Sequence, residues 1–325
     1  MKIATFNVNG IHTRLPRLLE WLQESQPDVA CLQELKTSDA TFPEQAIRDA
    51  GYGAIWHGQK GFNGVAILAR GEQPQERRRG LPEDPDDTHS RYLEASAHGI
   101  VVASIYLPNG NPQPGPKFDY KLAWFERLIG HAASVCEGDA PVVLAGDFNV
   151  VPTDEMDIYD PRSWRRDALL QPQSRACYAR LLAQGWTDAI RTCHPDQRIY
   201  TFWDYFRQHW KRNAGLRIDH LLLNPTLSPR LRDAGVDRWV RDLPGPSDHA
   251  PTWVKLDMST AKRSPGAGAG GPRKRAPARR PSAATRTDDA PDDVRAMRPG
   301  ADFWHSARNH CQPAGNPCVD RSGFP

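Results

Sequence analysis

Asn7, Glu34, Tyr106, Asp147, Asn149, Asp219, Asp248 and His249 all lie at or beside the ends of apolar runs. They comprise carboxylates, amides, a phenol and one imidazole. Hard oxygen donors of this kind suit Mg²⁺ or Mn²⁺ rather than zinc, which prefers nitrogen and sulfur. A site of this makeup typically acts on phosphate: the cation offsets charge on a non-bridging oxygen while protein groups orient an attacking water. Asp248 and His249, adjacent in PSDHAP, put a histidine forward for proton transfer or charge stabilisation beside the phosphorus. No Gly-rich phosphate loop is present, which argues against nucleoside triphosphate hydrolysis. Each residue also has a plain structural role: a turn cap for Asn7, a surface carboxylate for Glu34, a packed ring for Tyr106, a buried pair for Asp219 and His249. What favours chemistry is their joint placement at nearly every central strand end.

Strands must deliver these groups, and the clearest is PVVLAGDFNV, residues 141–150. Val142, Val143 and Leu144 read as a buried strand. Gly146 frees the backbone for a turn or a close approach. Asp147 and Asn149 then fall on one side of an extended chain, with Phe148 turned to the other. Residues 2–8 read as a strand, and Leu15, Leu18, Leu19 and Leu22 mark an amphipathic helix. Residues 28–32 form a short buried strand that delivers Gln33 and Glu34. Residues 44–50 suggest a weak helix. Strands follow at 54–56 and 65–69 around the Gly61–Gly64 turn, and 72–90 reads as a polar loop. A hairpin over 92–97 and 100–107 ends in Tyr106, and a long helix covers 118–135.

Residues 154–172 show no period and carry Trp164, Arg165 and Arg166 at their middle. A short helix at 176–183, the aromatic stretch TFWDYF at 201–206, and strands at 217–223, 236–240 and 252–256 complete the pattern. Hairpins and helices alternate irregularly between strands. That mixture predicts an α/β fold of two mixed β-sheets packed face to face with helices outside. A doubly wound single sheet would need regular βα alternation, which the hairpins break.

A formal net charge of only +3 over 325 residues gives no global preference for polyanions. No apolar run is long enough to span a bilayer, and the N-terminus reads as a strand rather than a signal peptide. The scattered thiols of Cys31, Cys136, Cys177 and Cys193 read as reduced cysteines of a cytoplasmic protein. Composition breaks after about Met258, so residues 1–257 are expected to form the folded domain. Residues 258–325, rich in Pro, Ala, Gly and Arg, are expected to be a disordered basic tail. His305, His310, Cys311 and Cys318 within that tail fit no standard zinc spacing.

The motifs MKIATFNVNG, DVACLQELK, GYGAIWHGQKGFNGVAIL, YLPNGN, PKFDYKLAW, VLAGDFNVVPTDEMD, YTFWDY, GLRIDHLLL and PSDHAPTW succeed one another over residues 1–257. In these the chain resembles the exodeoxyribonuclease III / AP endonuclease family of the DNase I-like endonuclease/exonuclease/phosphatase superfamily. The resemblance implies a four-layer α/β sandwich. It also implies Mg²⁺- or Mn²⁺-dependent hydrolysis of the DNA phosphodiester 5′ to an abasic site, with 3′→5′ exonuclease and 3′-end cleaning activity. The expected partner is double-stranded DNA with abasic sites or 3′ ends, bound by a monomer away from any membrane.

By resemblance, Glu34 is the principal metal ligand, supported by Asn7, with Asp248, Asn149 and His249 in the surrounding metal network. Asp147, also near the metal, orients or deprotonates the attacking water, and Asn149 grips the phosphate. Tyr106 donates to the phosphate or lies near the leaving oxygen, and Asp219 orients His249. Phe202, Trp203 and Leu216 match positions that shape a pocket for a base-free sugar, so that damage is read by shape and flipping. Asn109, Lys121 and Arg91 are expected on phosphates, where they position the duplex without reading sequence. Two positions depart from relatives: Asn9, where eukaryotic members carry Asp, and Leu35, where many carry Thr. A phosphoesterase acting on a non-DNA phosphate ester, and a catalytically inactive nucleic-acid-binding relative, are the competing readings. Intact Glu34, Asp147, Asp219 and His249 count against the second.

Overall fold

Alternating side chains on doubly buried strands set the layers of this protein. The computed structural model describes residues 1–259. In chain order the elements are β1 (Lys2–Asn7), α1 (Ile11–Ser25), β2 (Val29–Gln33), α2 (Glu44–Asp49), β3 (Tyr52–His57), β4 (Val65–Arg70) and β5 (Gln75–Arg79). Next come β6 (Tyr92–Ala97), β7 (Ile100–Tyr106), α3 (Pro116–Cys136), β8 (Val142–Asp147), α4 (Pro172–Ala183), β9 (Thr187–Asp188) and α5 (Ala189–Cys193). The last are β10 (Asp219–Leu223), β11 (Leu231–Val236) and β12 (Thr252–Leu256). Ile3, Val29 and Cys31 point into one apolar cluster, while Ala4, Phe6, Ala30 and Leu32 point into another. That is the period-two behaviour of strands covered on both faces.

Two six-stranded mixed sheets result, in the orders β11-β12-β1-β2-β4-β3 and β5-β6-β7-β8-β10-β9. The cluster between them joins Ile3, Val29 and Ile67 to Leu93, Val102, Val143 and Leu221. On the outer face of the first sheet, Leu18, Trp21 and Leu22 of α1 cover Phe6 and Leu32. On the outer face of the second, Trp124, Phe125 and Leu128 of α3, with Tyr178 and Leu181 of α4, cover Ala103 and Leu144. The result is the four-layer α/β sandwich, and the single-sheet alternative is excluded. No described helix is long and apolar enough to cross a membrane.

Only β1–β2 and β7–β8 pair in parallel. Parallel neighbours need a crossover, and α1 and α3 supply it. β12 runs antiparallel to β1, and β10 antiparallel to β8. The ends of β1, β2, β7 and β8 therefore meet the starts of β10 and β12 at one rim of the sandwich. A polar bridge lies between the sheets below that rim: Thr5 Oγ1 donates to Gln33 Oε1 (3.0 Å), and Gln33 Nε2 donates to Ser104 Oγ (3.1 Å). Each member is paired, so the bridge ties the sheets without an unsatisfied group.

The short β9 and α5 were not in the sequence reading, and two further stretches differ from it. Residues 75–79, placed in a loop, form the edge strand β5; its QERRR side chains are all exposed, so no apolar alternation betrays it. Residues 236–240, expected as a strand, lie mostly beyond one. β11 ends at Val236 and a 3-10 turn covers Arg238–Asp242. The chain leaves the sheet at Asp237, whose carboxylate accepts hydrogen bonds from Trp21, Ser25 and Trp253. The tail expected from residue 258 onward lies, beyond Ser259, outside the described residues.

Candidate active site

Register places the first carboxylates side by side. Asn7 pairs with Gln33, Tyr106 with Asp147, and Asp147 with Asp219 across the strand ends. Just past β2 the chain turns through left-handed backbone at Glu34 (φ 53°) and Lys36 (φ 52°). Such backbone is costly away from glycine. Here it is held by Gly10 N–H to Glu34 O (2.8 Å), Leu35 N–H to Gly64 O (3.1 Å) and Lys36 N–H to Asn63 O (2.9 Å), with the Leu35 side chain buried between. The turn points the Glu34 carboxylate back over the rim.

There Asn7 Nδ2 donates to Glu34 Oε1 and to Asp147 Oδ2, each at 3.0 Å, so one amide spans both sheets. The Tyr106 hydroxyl donates to the same Glu34 oxygen at 2.8 Å. Glu34 Oε2 receives the Lys36 ammonium at 2.7 Å. Burial opposes ionisation of Glu34, but Lys36 and the Asn7 amide outweigh it and hold the carboxyl below its usual value. Tyr106 moves the other way: burial, then Glu34 and Asp147, push its phenol well above the ordinary range, so it stays a donor.

The second half of the site centres on His249. Its Nδ1 donates to Asp219 Oδ2 at 2.8 Å, and its Nε2 lies 3.8 Å from Asp147 Oδ2. Burial alone would lower the imidazole, but Asp219, by charge and hydrogen bond, and then Asp147 raise it to about 10. His249 is therefore an imidazolium at neutral pH. Asp147 is pushed up to about 7, first by burial and then by Asp219, against the pull of His249. Ser247 anchors this loop, donating to Asn7 O (2.7 Å) and accepting from His249 N–H (3.2 Å). Arg241, buried, donates to the carbonyls of Ser247 and Trp203 from below. Thr201 Oγ1 accepts from Asp219 N–H at 3.1 Å. Asp219 Oδ1 is buried with no partner among the described residues.

Asn149 also has left-handed backbone (φ 47°), and its N–H reaches back to Asp147 Oδ1 at 2.9 Å. Its side-chain carbonyl receives Asn109 Nδ2 at 3.2 Å. Asp248 accepts from Asn9 Nδ2 at 3.0 Å, while Asn9 Oδ1 accepts from Lys36 (2.6 Å). The neutral amide at position 9 thus bridges Asp248 to the Glu34–Lys36 pair. The Arg91 guanidinium lies over the Tyr106 ring, 4.9 Å from its centroid.

Asn7, Glu34, Tyr106, Asn109, Asp147, Asn149, Asp219, Asp248 and His249 are thus gathered at one rim. Three expected contacts, Lys121, Trp203 and Leu216, are not on the surface. Lys121 is fully buried, and its ammonium donates to the backbone carbonyls of Asn109 (3.0 Å) and Asn149 (2.5 Å). Burial lowers it to about 7. It holds the loops that carry those amides and is not free to reach a phosphate. Trp203 is fully buried against Trp210, its Nε1 bonded to Asn213, so it presents no wall to a ligand. Phe202 keeps an accessible face and lies 5.0 Å from the His249 ring, with Leu216 buried behind it through a two-residue bridge. Lys36, Ser247, Thr201 and Arg241 escaped the sequence reading, which noted Asn9 only as a departure from relatives; Lys36 alone carried a signal, its i+2 spacing from Glu34.

The donor set can be tested for a divalent cation. Ligand atoms of Asp147, Asp219 and His249 lie within 4.8 Å of one another. That trio sets two carboxylates around one imidazole, so its charge does not exclude a cation. Glu34 offers two carboxylate oxygens: Oε1 accepts from the Asn7 amide and the Tyr106 hydroxyl, and Oε2 is held by the Lys36 ammonium, so that position already attracts a positive charge. The Glu34 side suits a hard divalent ion.

Buried, opposed carboxylates, an imidazolium held by one of them, and amide donors on a two-sheet sandwich define a phosphoester hydrolase. The endonuclease/exonuclease/phosphatase family model matches residues 4–249. Exodeoxyribonuclease III of Haemophilus influenzae is 34% identical over 79% of this chain and its own full length. A 3′ phosphatase from Neisseria, solved with a product DNA hairpin, is 39% identical with a TM-score of 0.76, covering 79% of this chain and 99% of its own. An AP endonuclease from Archaeoglobus fulgidus is 37% identical with the same TM-score, over 79% of this chain and all of its own. The chain belongs to the endonuclease/exonuclease/phosphatase family, in its exodeoxyribonuclease III / AP endonuclease branch.

Proposed function

We propose that this protein is a DNA repair nuclease that hydrolyses the phosphodiester 5′ to an abasic site, with 3′→5′ exonuclease and 3′-end cleaning activity on duplex DNA. The observation that carries the reading is the His249 imidazolium, fixed by Asp219 at 2.8 Å and aimed across 3.8 Å at Asp147, beside Glu34 and the open face of Phe202. The catalytic unit is residues 1–257, acting as a monomer in the cytoplasm. The buried or half-buried free thiols of Cys31, Cys136, Cys177 and Cys193 agree with a reducing compartment.

Each residue's state follows from its surroundings. Asp147, near neutral pKa and fixed by the Asn7 amide and the Asn149 N–H, accepts the proton of an attacking water. The His249 Nε2–H donates to a phosphoryl oxygen as charge builds on it. Asn149, its Nδ2 held by Leu107 O at 2.9 Å, accepts from Asn109 and so fixes that amide beside the same group, and the protonated Tyr106 serves as a donor on the Glu34 side. Glu34, with Asn7 bonded to it and Asp248 linked to it through Asn9 and Lys36, would hold Mg²⁺ or Mn²⁺, which would supply charge neutralisation for the phosphate and the leaving oxygen.

Incision of a duplex bearing one abasic site, with and without EDTA, tests the reading. Cleavage 5′ to the lesion that EDTA stops is expected. An enzyme that turns over an inositol phosphate and leaves the duplex whole is a phosphoesterase of another kind.

A further inference from the structure

Glu34 has one oxygen left for an ion, and a cation of the protein's own already lies on it. Its Oε1 accepts two hydrogen bonds, from the Asn7 amide at 3.0 Å and the Tyr106 hydroxyl at 2.8 Å. Two donors use the in-plane lone pairs of that oxygen, so an incoming ion is directed to Oε2. The Lys36 ammonium lies 2.7 Å from Oε2 and forms the one ion pair of Glu34 among the described residues. It also donates to Asn9 Oδ1 at 2.6 Å, while Asn9 Nδ2 donates to Asp248 Oδ1 at 3.0 Å. Asn9 is a neutral amide, so it holds the ammonium without offsetting its charge.

Backbone and side chain of Lys36 differ in freedom. The backbone is fixed in its left-handed turn: its N–H donates to Asn63 O (2.9 Å) and its carbonyl accepts from Gly61 N–H (3.3 Å). The side chain is 37% exposed, against 17% for that of Glu34. The stem can therefore swing outward from a firm anchor while the carboxylate stays in place. An ammonium has three donors; Glu34 and Asn9 take two, and the third is open to a further acceptor. Charge points the same way. Glu34 and Lys36 form a neutral pair, and a divalent ion brought to Oε2 meets a like charge on the same oxygen. A phosphate arriving at the rim offers the ammonium another anionic partner.

We infer that Lys36 is the resident counter-cation of the Glu34 site: its ammonium covers the oxygen that a divalent ion needs, leaves it when a substrate phosphate draws it outward, and so ties ion binding to the presence of DNA. The tie to DNA rests on the nuclease reading above; the competition at Oε2 does not.

The test reads ion binding without DNA. Mn²⁺ is titrated into the full chain at pH 8, so that Glu34 stays ionised once Lys36 is replaced, and free Mn²⁺ is followed by electron paramagnetic resonance. Glu34→Gln should lose the site, which identifies the ion being counted. Lys36→Met should tighten binding by about tenfold or more, the scale of removing a like charge next to a divalent ion even in water. Lys36→Gln serves if Lys36→Met does not fold. Lys36→Arg keeps the charge and should stay within about threefold of the wild type. An affinity unmoved or weakened in the folded neutral variants overturns the inference. So does an equal tightening in Lys36→Arg, which would make the effect one of shape rather than charge. In the wild type, half-saturating Mn²⁺ for incision of an abasic duplex should lie about tenfold below the dissociation constant measured without DNA; equality of the two overturns the tie to DNA. A wild-type protein that binds Mn²⁺ through Glu34 and cuts no duplex fails the nuclease reading, whereas cutting with an affinity indifferent to Lys36 fails only this inference.

Discussion

Asp219 determines what His249 can do. The carboxylate accepts the Nδ1–H hydrogen bond and leaves the Nε2–H turned toward the Asp147 side of the rim. Asp219→Asn keeps the volume but removes the charge that raises the imidazole, so His249 is neutral over much of the neutral range. The expected outcome is a loss in kcat of about 100-fold or more with KM little changed, read from abasic-duplex incision at pH 7.5. A loss confined to KM would move His249 from catalysis to binding. His249→Ala and Glu34→Ala should each abolish incision while the circular dichroism spectrum stays native, and near-normal cleavage by either would reject its role. Much of this site was legible in the sequence, because strand alternation fixes the side to which Asp147 and Asn149 point. Phe202 and Trp203 show the limit. Adjacent residues of an extended segment face opposite ways, so one could meet the ligand and the other had to be buried; spacing alone did not say which. Lys121 was legible in principle. Phe118, Lys121, Phe125 and Leu128 share the buried helical spacing of α3, which puts the lysine on the apolar face.

Between residue and molecule, the close approach of β7 and β8 matters most. Gly146 is the residue before Asp147, and a Cβ there would stand 1.9 Å from the Ile105 carbonyl oxygen and 2.7 Å from its carbon. Those are backbone atoms of the neighbouring strand, which carries Tyr106 one residue later. Gly146→Ala must therefore push β7 and β8 away from each other at the point where both deliver polar groups. Overpacking of this kind costs about 3 kcal/mol, and urea melts should show it as a lowered midpoint. The surviving folded fraction should also be less active per molecule, since Tyr106 and Asp147 lose their register; full specific activity in that fraction would show the site to be indifferent to strand spacing. The glycine was visible in the chain as a mark of turn or close approach, and the structure selects close approach. β5 and the Arg238–Asp242 turn were not visible, for opposite reasons. The strand is an all-polar edge without a buried face. The turn borrows Val240 for the core beneath α1 and so mimics a strand.

Behind the rim, on the opposite face of β10 from Asp219, one buried ionic cluster joins the insertion loop, α4 and β9 to the start of β10. Arg217, before β10, pairs with Asp157 of the insertion loop (2.6 Å) and with Asp188 of β9 (2.7 Å), and it contacts His220 Nδ1 at 3.0 Å. Tyr178 of α4 donates to Asp188 at 3.1 Å. Burial, and then Arg217, lower His220 to about 4 from an ordinary 6.5. Burial would raise Asp157, but Arg217 outweighs it and brings the carboxyl to about 2 from 3.8. Both folded values lie below the unfolded ones, so in each window the unfolded chain binds more protons and stability falls as pH falls. The His220 contribution is complete above about pH 6.5 and is lost down to about 4; the Asp157 contribution is complete above 3.8 and is lost toward 2. His249 acts in the opposite sense, because its folded value is raised: its contribution is full below about 6.5 and fades as pH climbs to 10. Taken alone these two histidines favour neutrality, but Asp147, raised to about 7, opposes His220 below it, and Lys121, lowered to about 7, opposes His249 above it, so the His220 part is read by comparing variants. Protonating the unfolded His220 alone should remove about 2 kcal/mol between pH 7 and pH 5. His220→Gln keeps a hydrogen-bonding side chain without the titration, so its urea midpoint should change less than that of the wild type over the same interval. Equal pH dependence in the two proteins would mean that His220 titrates normally and that the cluster is open to water.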